Sequence, residues 1–232
     1  TCRRKTTEVA GAIGRGIADP SNMAGHDPYR RMAHVYDRLI EPMQAGVRRI
    51  ALDLGPPDPA WEVLDVGCGT GTGLAGYADA GCAVVGIDVS AAMLERASER
   101  LGDRAELHLV SPGPMPFEDD RFDLAITSMV IHELPAEGRI PLVRERARVE
   151  KPGGRLLVID FRFGSLRGWR GRALRVFLPI IERFSGHYRQ YRSFQTAGGV
   201  PPLLAAAGLE IEREKIVAGG NLAVYVIGKT PN

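Results

Sequence analysis

The most constraining feature of the sequence is an alternation of short apolar runs with helical patterns. Five runs have the length and the β-branched content of buried strands, and they cover 63–66, 83–87, 105–110, 122–127 and 155–159. Helical periodicity lies between them, over 73–80, 91–101 and 137–149. Strands that alternate with helices form βαβ units, so the pattern predicts an α/β fold with a mostly parallel sheet.

The two ends of the chain add elements of other kinds. Residues 1–27 are predicted to be a mobile arm, and apolar residues over 28–54 recur at the period of an amphipathic helical cap, with a break at Pro42. Near the other end a helix over 200–207 precedes two β-rich runs, 209–217 and 222–227. These runs predict a closing antiparallel hairpin in a single domain that extends over 28–232.

Charge and cysteine content exclude several classes of protein. The 30 basic and 28 acidic residues leave a net charge of +2, which gives no general basis for nucleic-acid binding. Cys2, Cys68 and Cys82 form no CxxC pair, and the histidines have no ligand spacing, so neither a disulfide framework nor a metal site is predicted. Free thiols indicate the cytoplasm. No apolar run approaches the roughly 20 residues of a membrane span.

A glycine-rich run follows the first predicted strand, where ligands of parallel sheets bind. It reads Gly67-Cys68-Gly69-Thr70-Gly71. The dinucleotide fingerprint G-x-G-x-x-G fails in both registers, because Thr72 or Leu74 stands at the third glycine. The phosphate loop that ends in Gly-Lys-Ser/Thr also fails, since no lysine is near. The run therefore favours a ligand without a pyrophosphate.

An acidic residue follows the second predicted strand at a spacing that suits a nucleoside. The strand ends in Gly86-Ile87-Asp88, and Asp88 lies about 20 residues beyond the glycines, where an acid can accept both ribose hydroxyls. Asp88 alone is equally compatible with a strand-end or helix-capping residue. The loop, strand, helix and acid together favour nucleoside binding.

These runs resemble the motifs of the class I S-adenosyl-L-methionine-dependent methyltransferases. Residues 63–71 are similar to the first motif, and Gly86-Ile87-Asp88 with Met93-Leu94 is similar to the second. The later motifs are matched by Pro116-Phe117, Phe122-Asp123 and Lys151-Pro152-Gly153-Gly154-Arg155-Leu156. The resemblance implies a Rossmann-like fold whose seven-stranded, mostly parallel sheet has helices on both faces and a C-terminal antiparallel hairpin.

The resemblance also implies a set of cofactor contacts. Gly67, Gly69, Thr70 and Gly71 would lie along the amino-acid and ribose parts of S-adenosylmethionine, with Asp65 positioning the loop and meeting the ammonium group. Asp88 would take the ribose hydroxyls. The remaining contacts would be made by Val89 and Met93 beside the adenine, Ser111 at its edge and Ser128 at the methionine part. Core packing is an equal alternative for Val89 and Met93.

Within the superfamily, the chain is most similar to the ubiquinone/menaquinone biosynthesis C-methyltransferases. The shared runs are Tyr36-Asp37, residues 148–154, Ile159-Asp160-Phe161 and the stretch from Ser185-Gly186 to Tyr191-Arg192. This resemblance implies a small, largely apolar acceptor such as a quinone ring carbon. The alternatives are an O- or N-methyltransferase of a lipid headgroup or secondary metabolite, and a noncatalytic module that binds the cofactor.

Methyl transfer requires few catalytic residues, because the cofactor supplies the leaving group. His132 follows the fourth strand, where that family carries an Arg-Asn pair, and its near-neutral intrinsic pKa makes it a candidate general base. Its neighbour Glu133 is the rival. The alternative for His132 is a packed or helix-capping imidazole.

A basic segment over 161–195 carries eight arginines against one acid, Glu182, which gives it a charge of +7. Apolar residues between 166 and 184 form one helical stripe with the arginines mostly opposite. We expect a lid helix whose apolar side packs over the substrate cleft. The alternative is peripheral contact of 166–184 with an anionic membrane, and sparse aromatic residues argue against nucleic acid.

Overall fold

A computed structural model describes residues 41–228, with the side chains of 41–44, 184 and 185 left aside. The predicted arm over 1–27 and the first part of the predicted cap lie outside this range. The helices are α1 Glu41–Leu54, α2 Thr72–Asp79, α3 Ala91–Leu101, α4 Ala136–Val149, α5 Gly168–Ser185, α6 Tyr188–Thr196 and α7 Val200–Ala207. The strands are β1 Glu62–Val66, β2 Ala83–Asp88, β3 Ala105–Leu109, β4 Phe122–Ser128, β5 Glu150–Phe161, β6 Ile211–Val217 and β7 Leu222–Gly228.

The described strands form one sheet in the order β3-β2-β1-β4-β5-β7-β6. Strands β1 to β5 are parallel, while β7 runs antiparallel to both β5 and β6. The Rossmann-like fold predicted from the sequence is thereby confirmed. After β3 the chain crosses back to add β4 on the other side of β1, and such a reversal of strand order opens a cleft at the carboxyl ends of the strands.

The sheet is covered on both faces by apolar side chains from the helices. On one face Val47 of α1 and Leu74 of α2 pack in the same cluster as Val63 of β1. On the other face, Val143 of α4 and Leu204 of α7 pack in the cluster that holds Val158 of β5. Apolar side chains on both sides of the strands explain why they read as continuous apolar runs.

The start of β5 is the boundary that differs most from the sequence prediction. Strand β5 begins at Glu150 instead of Arg155, because Lys151 to Gly154 stay extended and an irregular register joins this end to β4 between Phe122 and Leu124. The predicted break at Pro42 lies at the edge of the described residues, and from there α1 continues to Leu54.

The apolar stripe of α5 does not pack as expected for a lid. Trp169 is 73% exposed and Val176 is 67% exposed. The helix is instead attached through its other face, where Leu178 and Glu182 are buried. The polar side chains of that face find partners inside the protein. Glu182 lies next to the buried His132, and Arg175 donates a hydrogen bond to Asn221. Within residues 41–228, no helix has the length and apolarity needed to cross a membrane.

Candidate active site

The glycine loop lies at the carboxyl end of β1, beside the cleft. The backbone N–H of Gly67 donates to the carbonyl of Ile87 on β2 over 2.8 Å. Gly67, Gly69 and Gly71 have φ angles of 75°, 53° and 75°, which glycine adopts without the Cβ penalty. A Cβ at Gly69 would meet no atom within 4 Å, so this backbone faces open space. The loop thus presents bare backbone to a ligand.

The other two glycines of the loop serve close packing. A Cβ at Gly67 would lie 2.3 Å from Cγ2 of Val130, and one at Gly71 would lie 2.9 Å from Cδ1 of Leu101 on α3. Gly67 therefore lets the loop approach the segment after β4. Gly71 lets it settle on α3, so its role here is to fix the loop in place.

Asp65 lies at the floor of a cavity beside this loop. Gly67, Gly69, Thr70 and Ser128 also line the cavity, together with residues of α1. The carboxylate is only 3% exposed, and its Oδ1 has no hydrogen-bond partner among the described residues. Burial raises the pKa of Asp65 to about 7, the Arg146 guanidinium opposes this, and the Asp88 charge adds to it. A cationic group in the cavity would find an acceptor here.

Asp88 ends β2 and ties the second motif to the glycine loop. Its Oδ2 accepts the backbone N–H of Gly69 over 2.8 Å, and its Oδ1 accepts that of Ser90 over 2.9 Å. Burial raises the pKa of Asp88 to about 6, although these backbone hydrogen bonds lower it. Asp88 is 8% exposed, so it is buried at the edge of the cleft.

The remaining predicted cofactor residues differ in exposure. Val89 is 38% exposed, so it is not packed in the core, and its side chain is available to contact an adenine ring. Met93 is buried, and its backbone N–H is capped by the Ser90 hydroxyl over 3.2 Å. Ser111 is exposed two residues beyond β3, and Ser128 ends β4 half-buried. Val89, Ser111 and Ser128 thus lie at the carboxyl ends of β2, β3 and β4, whereas Met93 lies in the first turn of α3 and its burial agrees with the core-packing alternative.

His132 lies in a short 3-10 turn, Ile131–Glu133, that follows β4. Its ring is 2% exposed, and its Nδ1 is 2.8 Å from Oδ1 of Asp160 on β5. Burial alone would lower the pKa of His132, but the charges of Asp160, Glu133 and Glu182 outweigh it and raise the pKa to about 9. The ring is therefore an imidazolium at neutral pH, which does not accept another proton.

Glu133 is the more accessible of the two predicted catalytic residues. Its Oε1 lies 3.9 Å from Nε2 of His132 and 3.3 Å from Nδ1 of His187, so two imidazoles hold it. Its side chain is 28% exposed. Its charge also contributes to the raised pKa of Asp88, so Glu133 is within electrostatic reach of the predicted ribose site. These observations favour Glu133 over His132 as the group that accepts a proton.

Asp160 is a site residue that the sequence prediction omitted. It is fully buried, and its carboxylate accepts the backbone N–H of His132 over 3.2 Å and that of Phe161 over 2.7 Å. Met129, which separates β4 from the histidine turn, has a φ of 60° that is costly for such a side chain. An acid at the end of a strand beside β4 was the available signal, as for Asp88 on β2.

Glu182 and His187 were also missed, because they come from α5 and from the start of α6. Glu182 Oε1 lies 3.7 Å from Nε2 of His132, and burial is the first cause of its raised pKa. The hydrogen bond to Glu133 is the first cause of the raised pKa of His187. Across residues 41–228 no group of three His, Cys, Asp or Glu residues has the arrangement of a metal site.

Comparison with known proteins assigns the family. The family model described as "Methyltransferase domain" matches residues 63–154. A demethylmenaquinone methyltransferase of Beutenbergia cavernae is 31% identical over 223 residues, which covers 89% of this chain and 90% of the relative. The chain belongs to the class I S-adenosylmethionine-dependent methyltransferases. The protein is therefore an enzyme of this family, and its cofactor is S-adenosylmethionine.

Other relatives of this methyltransferase have different names. Methyltransferase GfsG of Streptomyces halstedii is 36% identical over 158 residues, covering 65% of this chain and 53% of that relative. The solved structure of a Burkholderia thailandensis 1,6-didemethyltoxoflavin-N1-methyltransferase, with bound S-adenosylhomocysteine, has a TM-score of 0.59 at 18% identity and covers 92% of each chain. At that identity the similarity concerns the fold.

The residues of this methyltransferase fit S-adenosylmethionine. The buried Oδ1 of Asp65 without a partner suits the ammonium group of the methionine part. The open space over Gly69 admits a ligand against bare backbone, and Asp88 presents a carboxylate beside it. Gly67, Thr70 and Ser128 would complete the wall on the methionine side, with Val89 and Ser111 on the adenine side.

Proposed function

We propose that this methyltransferase transfers the methyl group to a ring carbon of a lipid-soluble quinol. The observation that carries the proposal is the carboxylate of Glu133, held between His132 and His187 and within electrostatic reach of Asp88. A proton acceptor beside the methyl donor suits an acceptor with an ionisable hydroxyl.

The surroundings of this carboxylate suit an apolar ring. Met129 and Val130 are half-buried and lie between Ser128 and the histidine turn, and Val130 would contact any side chain at Gly67. Along the chain, two apolar residues therefore separate Ser128 from the turn that carries Glu133. The name of the Beutenbergia relative, which covers nearly the whole chain, points to the same acceptor class.

The reaction divides between cofactor and protein. S-Adenosylmethionine, when bound, supplies a methyl group on a positively charged sulfur and leaves as S-adenosylhomocysteine. Asp65 and Asp88 bind and orient it, since each presents a buried carboxylate at the edge of the glycine loop. Holding donor and acceptor in line is the larger part of catalysis in such a displacement.

Glu133 is the general base that accepts a proton from the acceptor. Its carboxylate accepts the hydroxyl proton of the quinol, which leaves a phenolate whose ring carbon is nucleophilic. Methyl transfer to that carbon gives a neutral dienone, the carbon then loses its hydrogen as a proton, and the ring oxygen regains a proton. The acceptor therefore loses one proton in net for each methyl group that it gains. His132, protonated and paired with Asp160, orients Glu133 and offers a positive charge to the phenolate.

A second candidate is O- or N-methylation of a secondary metabolite. Methyltransferase GfsG is 36% identical to this chain, but the match covers little more than half of the length of GfsG. Binding without turnover is a third reading. The buried acid and imidazole cluster at the acceptor side argues for retained chemistry, because a binding module gains nothing from burying such charges.

Initial rates of S-adenosylhomocysteine formation on an acceptor panel test the proposal. The panel holds demethylquinols, simple phenols and amines, each with the full chain. We expect turnover with demethylquinols at least tenfold faster than with either other class. Faster turnover of amines or of simple phenols would contradict the quinol assignment, and binding without turnover on every acceptor would favour the noncatalytic module.

Two variants test the catalytic roles. A positioned base contributes roughly 10² to 10⁴ in rate, so Glu133→Gln should lower kcat by about that factor while the dissociation constant of S-adenosylhomocysteine changes little. His132→Ala should lower kcat less. If His132→Ala abolishes turnover while Glu133→Gln remains active, then His132 is the base.

We also propose the cytoplasm as the compartment. Cys68 and Cys82 are free and buried in the described part of the chain. Free thiols persist most readily in a reducing compartment.

A further inference from the structure

The outer face of α5 carries a concentrated apolar surface. Six large hydrophobic side chains are exposed in the described part of the chain, and all but Val89 lie on this helix: Trp169, Val176, Phe177, Ile180 and Ile181. Scattered exposed apolar residues are ordinary on a protein, whereas a contiguous patch indicates an interaction site.

The patch has the geometry of one helical face. At about 100° per residue, Val176, Trp169, Ile180 and Phe177 fall within an arc of about 100°. Phe177 is 58% exposed, so even the edge of this arc is open. An apolar arc of this width is typical of a helix that lies flat in a membrane interface, with tryptophan at the headgroup level.

Arginines flank the arc on both sides. Arg172 and Arg183 lie on one edge and Arg170 on the other, and all three are exposed. The guanidinium of Arg170 lies 5.5 Å from the centre of the Trp169 ring. The only acid of the helix, Glu182, points inward, so every exposed charge on α5 is positive. Such a border complements anionic headgroups while the arginine stems extend along apolar surface.

The helix is rigidly attached through its inner face, so its outer face is fixed in orientation. Gly171 lets it approach the turn Ala218–Gly220, where a Cβ would lie 2.4 Å from the carbonyl oxygen of Gly219. The amide of Asn221 donates to the carbonyl of Gly171 over 2.8 Å, and Nε of Arg175 donates to Oδ1 of Asn221 over 2.7 Å.

We propose that α5 docks this methyltransferase on an anionic membrane surface through Trp169, Val176, Phe177 and Ile180. The same helix carries Glu182 against His132, so the docked face and the acceptor side of the site belong to one element. The proposal goes beyond the proposed function, because docking requires no particular acceptor. It does give a lipid-soluble acceptor a short route to the site.

Cosedimentation of the full chain with vesicles tests the docking. The parent should bind vesicles that contain phosphatidylglycerol at least tenfold more tightly than vesicles of phosphatidylcholine alone, and added salt should weaken this binding. The double variants Trp169→Ser/Phe177→Ser and Arg172→Glu/Arg183→Glu should each reduce binding at least tenfold. The matched control is Arg213→Glu/Lys215→Glu, which reverses two exposed charges on β6 and should bind as the parent does.

Sedimentation equilibrium separates the other occupants of this face. No vesicle binding together with a dimer that Trp169→Ser/Phe177→Ser dissociates would overturn the proposal in favour of a second copy of the chain. No vesicle binding by a monomer would overturn it as well. Equal loss of binding in the β6 control would mean that net charge alone drives it, which also contradicts docking through α5.

Activity measurements on the α5 variants distinguish a failure of membrane docking from a failure of the proposed function. The α5 variants should turn over a short-chain, water-soluble acceptor at the parent's rate and bind S-adenosylhomocysteine equally well. A parent that binds anionic vesicles but methylates no quinol would contradict the proposed function and leave the docking intact.

Discussion

Asp88→Asn tests the cofactor site most precisely, because the structure gives both a contact and a proton equilibrium to measure. The substitution keeps the shape of the side chain and removes its charge. Hydrogen bonds to a charged group contribute about 1.5 to 3 kcal/mol, so the dissociation constant of S-adenosylhomocysteine at pH 8 should rise by about tenfold to 150-fold.

The pH dependence of binding provides a second signature. The raised pKa of Asp88, about 6, means that the parent loses this acceptor as the pH falls through 6, and its affinity should weaken there. Asp88→Asn removes one titrating carboxylate, so the slope of log Kd against pH below 6 should fall by about one. Asp65, with a pKa of about 7, accounts for the slope that remains.

In the unliganded protein, the raised pKa of Asp88 should make the free energy of unfolding depend on pH. The unfolded chain releases the Asp88 proton near its ordinary value of 3.8 and the folded chain near 6. Asp88 therefore lowers the free energy of unfolding by about 3 kcal/mol as the pH rises from about 4 to 6, and this contribution should be absent in Asp88→Asn, in which Asp65 still contributes a fall of its own.

Calorimetric titration and urea denaturation across pH 4 to 8 measure both quantities. Asp103→Asn, an exposed acid after α3, is the matched control and should change neither. An Asp88→Asn variant that folds and binds S-adenosylhomocysteine as tightly as the parent at pH 8 would refute the assignment of Asp88 to the ribose.

Three other predictions follow from the site. Gly67→Ala should cost about 1 to 3 kcal/mol in urea denaturation, because its Cβ would overlap Val130, and adding Val130→Ala should recover part of this; a neutral Gly67→Ala would contradict the close packing. In Asp160→Asn the pKa of His132, about 9 in the parent, should fall toward 6.5 in an NMR titration, and the stability that the charged ring adds below pH 6.5 should be lost; an unchanged pKa would mean that other groups hold the proton. NAD and FAD should not bind measurably in a fluorescence titration, and micromolar affinity for either would contradict the reading of the glycine loop.

The fold was predictable because its signals are local. Strands β1, β2 and β4 are short apolar runs next to helical patterns, and the covering of both faces makes those runs continuous. Strand β3 lies at the edge of the sheet, is only partly buried and carries Glu106 and His108. The start of β5 was not predictable in this way. Pro152, Gly153 and Gly154 break the pattern, yet pairing with β4 holds that stretch extended.

The site was predictable on the donor side and only partly on the acceptor side. Asp65 lies one residue before the end of β1, Gly69 follows that strand and Asp88 ends β2, at spacings that a sequence displays directly. The cluster around His132 draws on β5, α5 and α6, and distances between such remote segments arise only from tertiary packing. Sequence patterns also could not decide which face of α5 packs inward. One face of the helix carries an apolar stripe, and the other carries polar residues whose partners lie elsewhere in the chain.

The position of the transferred methyl group tests the central claim most directly. S-Adenosylmethionine with a ¹³C-labelled methyl group is incubated with a demethylmenaquinol and the full chain, and the product is examined by carbon NMR. The proposed function predicts the label on a ring carbon, with one S-adenosylhomocysteine formed for each methyl group transferred. Label on oxygen, or cofactor bound without any labelled product, would contradict it.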